Sequence, residues 1–152
     1  MNVQQYLANR KISFTTLPHE ETFTAQRLAQ AVHVAGDEVA KTVLLVVDDD
    51  FTLAVLPSTH QVDLLRLKKF LGARRIEIAD EQACGERFAD CELGALPPFG
   101  SEYGMRTLLD KSLLEDEWIV FEGNTHHEAI RMRADDYVAL EDPIVAEFVQ
   151  RM

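Results

Sequence analysis

The nine residues Val39-Ala40-Lys41-Thr42-Val43-Leu44-Leu45-Val46-Val47 are apolar at almost every position, and Lys41 is the only charge among them. Side chains alternate along an extended strand, so Val39, Lys41, Val43, Leu45 and Val47 share one face and Ala40, Thr42, Leu44 and Val46 the other. Both faces are apolar, so this strand must be covered on both sides, and the chain must fold in layers around it. Lys41 conflicts with that burial, because an ammonium group is costly to desolvate unless it is paired or its pKa falls. Either its side chain snorkels to the strand mouth, or it is aimed into a cleft to meet an anion or a developing oxyanion.

The 152 residues suit one domain spanning 1–152, and a chain of this length buries roughly 70% of its unfolded surface without needing a staple. A formal charge of −11 argues against a broad phosphate-binding surface, while leaving room for local contact with one end of a nucleic acid. Cys84 and Cys91 are too few for a zinc site and read as reduced thiols. No apolar stretch approaches the ~20 residues of a membrane span, and Met1 to Gln5 lack a signal-peptide pattern. The expectations are a cytoplasmic location and no membrane partner.

Turn and cap signals divide the chain. Asn2 to Arg10 reads as a helix and Ser13 to Leu17 as a strand. Thr24 caps a helix through Val32 that ends at Gly36-Asp37. Val39 to Val47 and Phe51 to Leu56 form a hairpin across three aspartates. Asp63 caps a helix from Leu64 to Leu71 that Gly72 stops. A strand from Arg74 to Ala79 precedes a short helix from Asp80. Glu92 to Gly100, with two prolines and two glycines, excludes regular structure. Strands at Met105 to Leu109, Trp118 to Glu122 and Glu128 to Met132 precede helices at Ala134 to Leu140 and Pro143 to Gln150. The expected fold is α/β: a single compact domain with a mixed, barrel-like sheet flanked by helices.

Two further segments could carry chemistry. In Gly94-Ala95-Leu96-Pro97-Pro98-Phe99-Gly100, glycines allow close backbone approach and prolines stiffen the path. The amides of Gly94, Ala95, Leu96, Phe99 and Gly100 are candidate oxyanion donors; the competing reading is a rigid crossover. In Gly123-Asn124-Thr125-His126-His127-Glu128, the adjacent histidines point apart in extended chain. That weakens a shared metal site, and the segment reads as a polar turn or as one histidine facing a cleft. The basic stretch Arg66, Lys68, Lys69, Arg74 and Arg75 is a solvated helix face or, if it flanks the cleft, a landing site for phosphates. No serine carries a nucleophile-elbow signature.

Together, Ala40-Lys41-Thr42-Val43, Leu56-Pro57, Val62-Asp63-Leu64, Gly94 to Gly100 and Gly123 to His127 resemble, in order, the YbaK/prolyl-tRNA-synthetase-associated domain family. The resemblance implies a free-standing aminoacyl-tRNA deacylase that hydrolyses the ester of a mischarged tRNA in trans. It implies Lys41, Gly94, Gly100 and His126 as catalytic residues. It implies Thr42, Ala95, Leu96, Pro98, Phe99, Asn124 and His127 as substrate-binding residues, with no metal or other cofactor. Lys41 would bind the terminal phosphate or ribose or orient the carbonyl. Backbone amides would stabilise the oxyanion, and His126 would position water. Thr42, where some relatives have asparagine, blocks transfer of an alanine-specific assignment. The implied partners are the acceptor end of a mischarged aminoacyl-tRNA and, as a second candidate, an aminoacyl-tRNA synthetase. The alternative is a non-catalytic aminoacyl- or nucleotide-binding module docked on a synthetase. A metal hydrolase using His126 and His127 is the weakest reading.

Overall fold

The apolar run forms the middle strand pair of the molecule. The computed structural model describes residues 1–19, 38–92 and 94–150. Strands β2 (Ala40–Val47) and β3 (Asp50–Pro57) pair antiparallel, from Val47 opposite Asp50 to Ala40 opposite Pro57. Asp48 and Asp49 make the two-residue turn at φ of 49° and 71°, the positive-φ hairpin geometry that matches strand twist. Aspartate tolerates this region better than most side chains. Asp48 Oδ1 also accepts the N–H groups of Arg74 and Arg75, each at 2.8 Å. These bonds, Arg75's foremost, hold the Asp48 carboxyl below the usual range.

Around the hairpin, β5 (Ile76–Ile78) pairs antiparallel with the second half of β2. β6 (Arg106–Asp110) lies parallel to β3, and β9 (Ile144–Ala146) parallel to β6, giving the order β5-β2-β3-β6-β9. A second sheet has the order β1 (Phe14–Pro18), β8 (Glu128–Arg133), β7 (Trp118–Glu122), all antiparallel. β4 (Gln61–Val62) and β10 (Val149–Gln150) make a third, two-stranded sheet. The two larger sheets meet at one parallel bridge, Val39 to Val120. The expected barrel is therefore corrected: the described strands form three sheets that do not close.

Four α-helices occur among the described residues. α1 (Val3–Asn9) is capped by Asn2, whose side chain accepts from the Gln5 N–H, and it buries Val3, Tyr6 and Leu7. α2 (Leu64–Leu71) has Asp63 as its N-cap and stops at Gly72 in the left-handed region, as the sequence signals predict. α3 (Glu81–Arg87) is capped by Asp80, and α4 (Ala134–Glu141) follows β8 directly. The helix expected after Thr24, with its stop at Gly36-Asp37, lies outside the described residues.

A second expectation fails. Pro143 to Gln150 is not a helix but β9 and β10. The β-branched Ile144, Val145 and Val149 favour extended chain. The edges of β6 and β4 satisfy its backbone, and Asp110 Oδ1 accepts the Phe148 N–H between the two strands at 2.9 Å.

Among the described residues the apolar core includes three clusters, and the hairpin belongs to each of them. Ala40 and Val55 join Tyr6, Phe99, Phe121 and Tyr137. Leu45, Ala54 and Leu56 join Leu67 of α2 and Phe148. Leu44 and Leu53 join Phe88, Leu96 and Met105. The β2–β3 pair is thus covered on both faces, as its composition requires.

Candidate active site

The site begins where the second edge of β2 changes partner. Leu44 C=O accepts from Ala79 N–H at 2.9 Å, whereas Val39 C=O accepts from Ser58 N–H at 2.8 Å on the opposite edge. Peptide groups of alternate residues point to the same edge of a strand. The N–H and C=O of Thr42 therefore point to the edge used by Leu44. There β5 begins only at Leu45, and the bridge to β7 lies back at Val39. Thr42 falls in the gap between them, where no strand pairs with that edge among the described residues. A groove of about 230 Å³ opens at this gap, lined by Thr42, Leu44, Ile78, Cys84, Gly94 and Leu96 among others. That is smaller than the roughly 300–1,000 Å³ typical of sites for whole drug-sized ligands. It suits a small terminal group of a larger molecule.

The glycine- and proline-bearing loop divides into two functionally different parts. Its second half is fixed in the core. Pro98 C=O accepts from the Tyr137 hydroxyl at 2.6 Å. Phe99 is wholly buried, with its ring centroid 5.2, 5.7 and 5.4 Å from those of Tyr6, Phe121 and Tyr137. Gly100 N–H donates to Thr107 Oγ1 at 2.9 Å. Thr107 Oγ1 donates in turn to Glu141 (2.7 Å), whose carboxylate also accepts from the Ser101 hydroxyl (2.6 Å) and N–H (3.1 Å). A Cβ on Gly100 would lie 2.5 Å from Thr107 Oγ1 and 2.9 Å from Met105 C=O, so this glycine is needed for packing. The buried Phe99 and Gly100 therefore lie away from the groove that Thr42 lines, and the Gly100 amide is already committed. Ala95 is also buried, with its N–H donating to Glu92 C=O at 3.0 Å. Gly94 and Leu96 are the loop residues that line the groove. Their amides have no acceptor among the described residues.

His126 is pinned behind Gly94. A Cβ on Gly94, whose φ is +86°, would sit 3.5 Å from His126 Cε1 and 3.6 Å from Nε2. His126 is only 3% exposed. Its Nδ1 lies 2.8 Å from Glu122 Oε2, and its N–H donates to Glu92 Oε2 at 3.1 Å. Burial pushes the Glu122 carboxyl up to about 7; the charge of Glu92 adds to the rise, and His126 opposes it. His127 is exposed, and its N–H donates to Thr125 Oγ1 at 3.2 Å. The adjacent histidines thus point apart, with His126 the one against the loop. Asn124, at φ +73°, works on the turn itself. Its Oδ1 accepts from Val3 N–H (3.0 Å) and its Nδ2 donates to Met1 C=O (2.7 Å). It ties the turn to the start of α1 rather than facing the groove.

Lys41 lies next to Thr42 but on the alternate face, with Val43 and Leu45, and opposite Leu56. It is half-buried, and burial lowers its pKa. No ion-pair partner is present among the described residues. Cys84 is at the groove as a free thiol, but burial, with Asp80 and Glu81, raises its pKa, which disfavours the nucleophilic thiolate. Glu122 and Glu92 were not legible as site residues, because they meet His126 only across the turn. A carboxylate closing the apolar strand Trp118-Ile119-Val120-Phe121 was the one available signal. A second cleft of about 680 Å³ lies over the Asp48–Asp50 turn and includes no candidate site residue.

The backbone superposes with a TM-score of 0.83 on the crystal structure of a proposed trans-editing enzyme for prolyl tRNA synthetase, at 24% identity, covering 97% of this chain and 94% of the other. It superposes with a TM-score of 0.88 on a hypothetical protein at 17% identity, covering 97% and 99%. At such identities the likeness is one of fold. The profile of the aminoacyl-tRNA editing domain matches residues 19–140, and the chain belongs to that family. A proline–tRNA ligase of Lactiplantibacillus plantarum is 29% identical over 89 residues, 58% of this chain. That of Streptococcus mutans is 27% identical over 117 residues, 74% of this chain. The matches span 15% and 19% of those ligases' own lengths. No helix among the described residues is long and apolar enough to cross a membrane.

Proposed function

We propose that this editing domain hydrolyses the ester joining a wrong amino acid to the terminal ribose of a tRNA. The observation that carries the reading is the open peptide edge at Thr42 facing the stiffened Gly94–Leu96 segment, with His126 held behind Gly94. The amino-acid side chain occupies the groove. The substrate's ammonium group donates to Thr42 C=O, and the Gly94 and Leu96 amides receive the oxygen that becomes anionic. Water adds to the carbonyl carbon, the carbon–oxygen bond to the ribose breaks, and the ribose hydroxyl leaves with a proton. Each essential amide contributes roughly 3–4 kcal/mol to that step. No thiolate or activated serine lines the groove, which favours water as nucleophile. Lys41 lies on the other face of β2, so we assign it to the terminal phosphate or ribose; the phosphate's anionic charge would offset the lysine's unfavourable burial. Selectivity comes from groove volume, since one methylene changes binding by only about 1–3 kcal/mol.

The sequence relatives are proline–tRNA ligases, so mischarged forms of the tRNA used by such a ligase head the substrate panel. We expect the protein to release at least one wrong amino acid, with Lys41→Ala lowering kcat/KM about 100-fold. A complete panel left intact would end the enzyme reading. The −11 charge favours one second reading, a binding module that depends on a partner to hold tRNA. Capture of the ligase by a protein inert on the whole panel would support it.

A further inference from the structure

Five of the fifteen Lys and Arg residues of this acidic chain fall between Arg66 and Arg75, and no acid interrupts the sequence between Asp63 and Glu77. α2 uses Leu64, Leu67 and Leu71 to pack on the central sheet. At 100° per residue the opposite face presents, in angular order, Leu65, Lys69, Arg66 and Phe70. Leu65 is 64% and Phe70 54% exposed. Gly72 turns the chain so that Ala73 N–H donates back to Lys68 C=O at 3.0 Å. That turn holds Arg74 and Arg75 against the end of the helix. The Asp48 carboxylate is taken up by their backbone N–H groups, which leaves both side chains exposed. Arg66 pairs with Glu147 at 3.1 Å. Lys69, Arg74 and Arg75 make no ion pair among the described residues.

We infer that Lys69, Phe70, Arg74 and Arg75 form a landing strip for the acceptor end of the tRNA, the cations binding phosphates and Phe70 stacking on a base. An exposed aromatic beside unpaired cations is the combination that binds flexible RNA, and a wholly apolar partner would leave the cations desolvated. The strip also leads to the groove. Three residues of extended chain, about 10 Å, separate Arg75 from Ile78, which is 57% exposed and lines the groove. A tail that follows β5 from the strip would cross the sheet edge at Ile78 to enter the groove on the other face. Local charge then supplies the RNA affinity that the net charge opposes. The inference rests on the editing reading, because it takes the ligand to be tRNA.

The test is binding of uncharged tRNA, followed by fluorescence anisotropy across a salt series, for wild type, Phe70→Ala and the triple variant Lys69→Gln/Arg74→Gln/Arg75→Gln. The triple variant should bind about tenfold or more weakly at low salt. Its log–log salt slope should be shallower by about 2–3, since each phosphate contact contributes about 0.7–0.9. Phe70→Ala should weaken binding without changing that slope. Any fall in kcat/KM should be confined to tRNA-length substrates and absent from a short aminoacyl-nucleotide ester. Wild-type affinity and slope in the triple variant would overturn the strip while leaving esterase activity standing. A change in sedimentation but not in tRNA binding would also overturn it, assigning the face to a second copy. Strip-dependent tRNA binding with no ester hydrolysed on the whole panel would leave the strip and remove the editing reading.

Discussion

Two residues fix one wall of the groove. His126 is fixed at both ends, its ring against Glu122 and its backbone against Glu92, so its direction is set before any substrate arrives. The Glu122 carboxyl titrates near pH 7 against an ordinary value of 4.5. A carboxyl with a raised folded-state pKa holds its proton longer folded than unfolded. Its contribution to stability is therefore full below about pH 4.5 and lost as the pH rises through about 7. In urea denaturation between about pH 5 and 7.5, wild type should lose about 1–3 kcal/mol more than Glu122→Gln. Parallel curves would show that Glu122 is not desolvated. Gly94 is the other such residue. At φ +86° an alanine costs about 1–2 kcal/mol, although its Cβ would meet His126 only in ordinary van der Waals contact. Gly94→Ala should keep its circular dichroism spectrum but lose most deacylation, whereas full activity would remove Gly94 from the site.

At the scale of elements, the Gly94–Gly100 loop is a single exposed residue, Gly94, on a buried root. The root is held by Tyr137, Thr107 and Glu141, so weakening it should reach Gly94. Tyr137→Phe leaves the buried Pro98 carbonyl unsatisfied at about 1–2 kcal/mol. It should lower both the unfolding midpoint and kcat; an unchanged midpoint would show that the bond contributes nothing. Gly100→Ala should be worse than Gly94→Ala in stability, because its close neighbours include backbone that cannot give way. The sequence made this loop visible through its two prolines, and α2 through Asp63 and Gly72. It could not show the gap at Thr42, which depends on where β5 stops, a matter of pairing between distant segments. Nor could it show that Phe99 and Gly100 serve the core, since a stiff loop reads alike whether its amides face ligand or protein. The closing strands depart from the expected helix for a related reason: Pro143 to Gln150 is short, and the edges of β6 and β4, far off in sequence, decide its conformation.

Over the whole molecule, the β2–β3 hairpin contributes to each of the three apolar clusters among the described residues. None of the three can melt without exposing part of the others, which favours a single transition. Phe148→Ala removes a wholly buried ring from the cluster under α2 and should cost about 3–5 kcal/mol. Trp118, the single tryptophan, lies in the other large sheet with the Arg131 guanidinium 4.6 Å from its ring centroid. Its fluorescence should nevertheless shift in midpoint by the same amount as the far-ultraviolet circular dichroism. Separate midpoints would mean that the two sheets unfold independently.

The shared hairpin and the buried root of the loop together make the groove a caliper. One jaw, at Thr42, is carried by the central strand, and the other, at Gly94, by a loop whose fixed point is Phe99. Their separation is set by aromatic packing among Phe99, Tyr6, Phe121 and Tyr137, none of which need touch the guest. Trimming a methylene or a ring there resets the gauge, so the size of guest admitted can drift through changes in the interior while every group at the mouth stays the same.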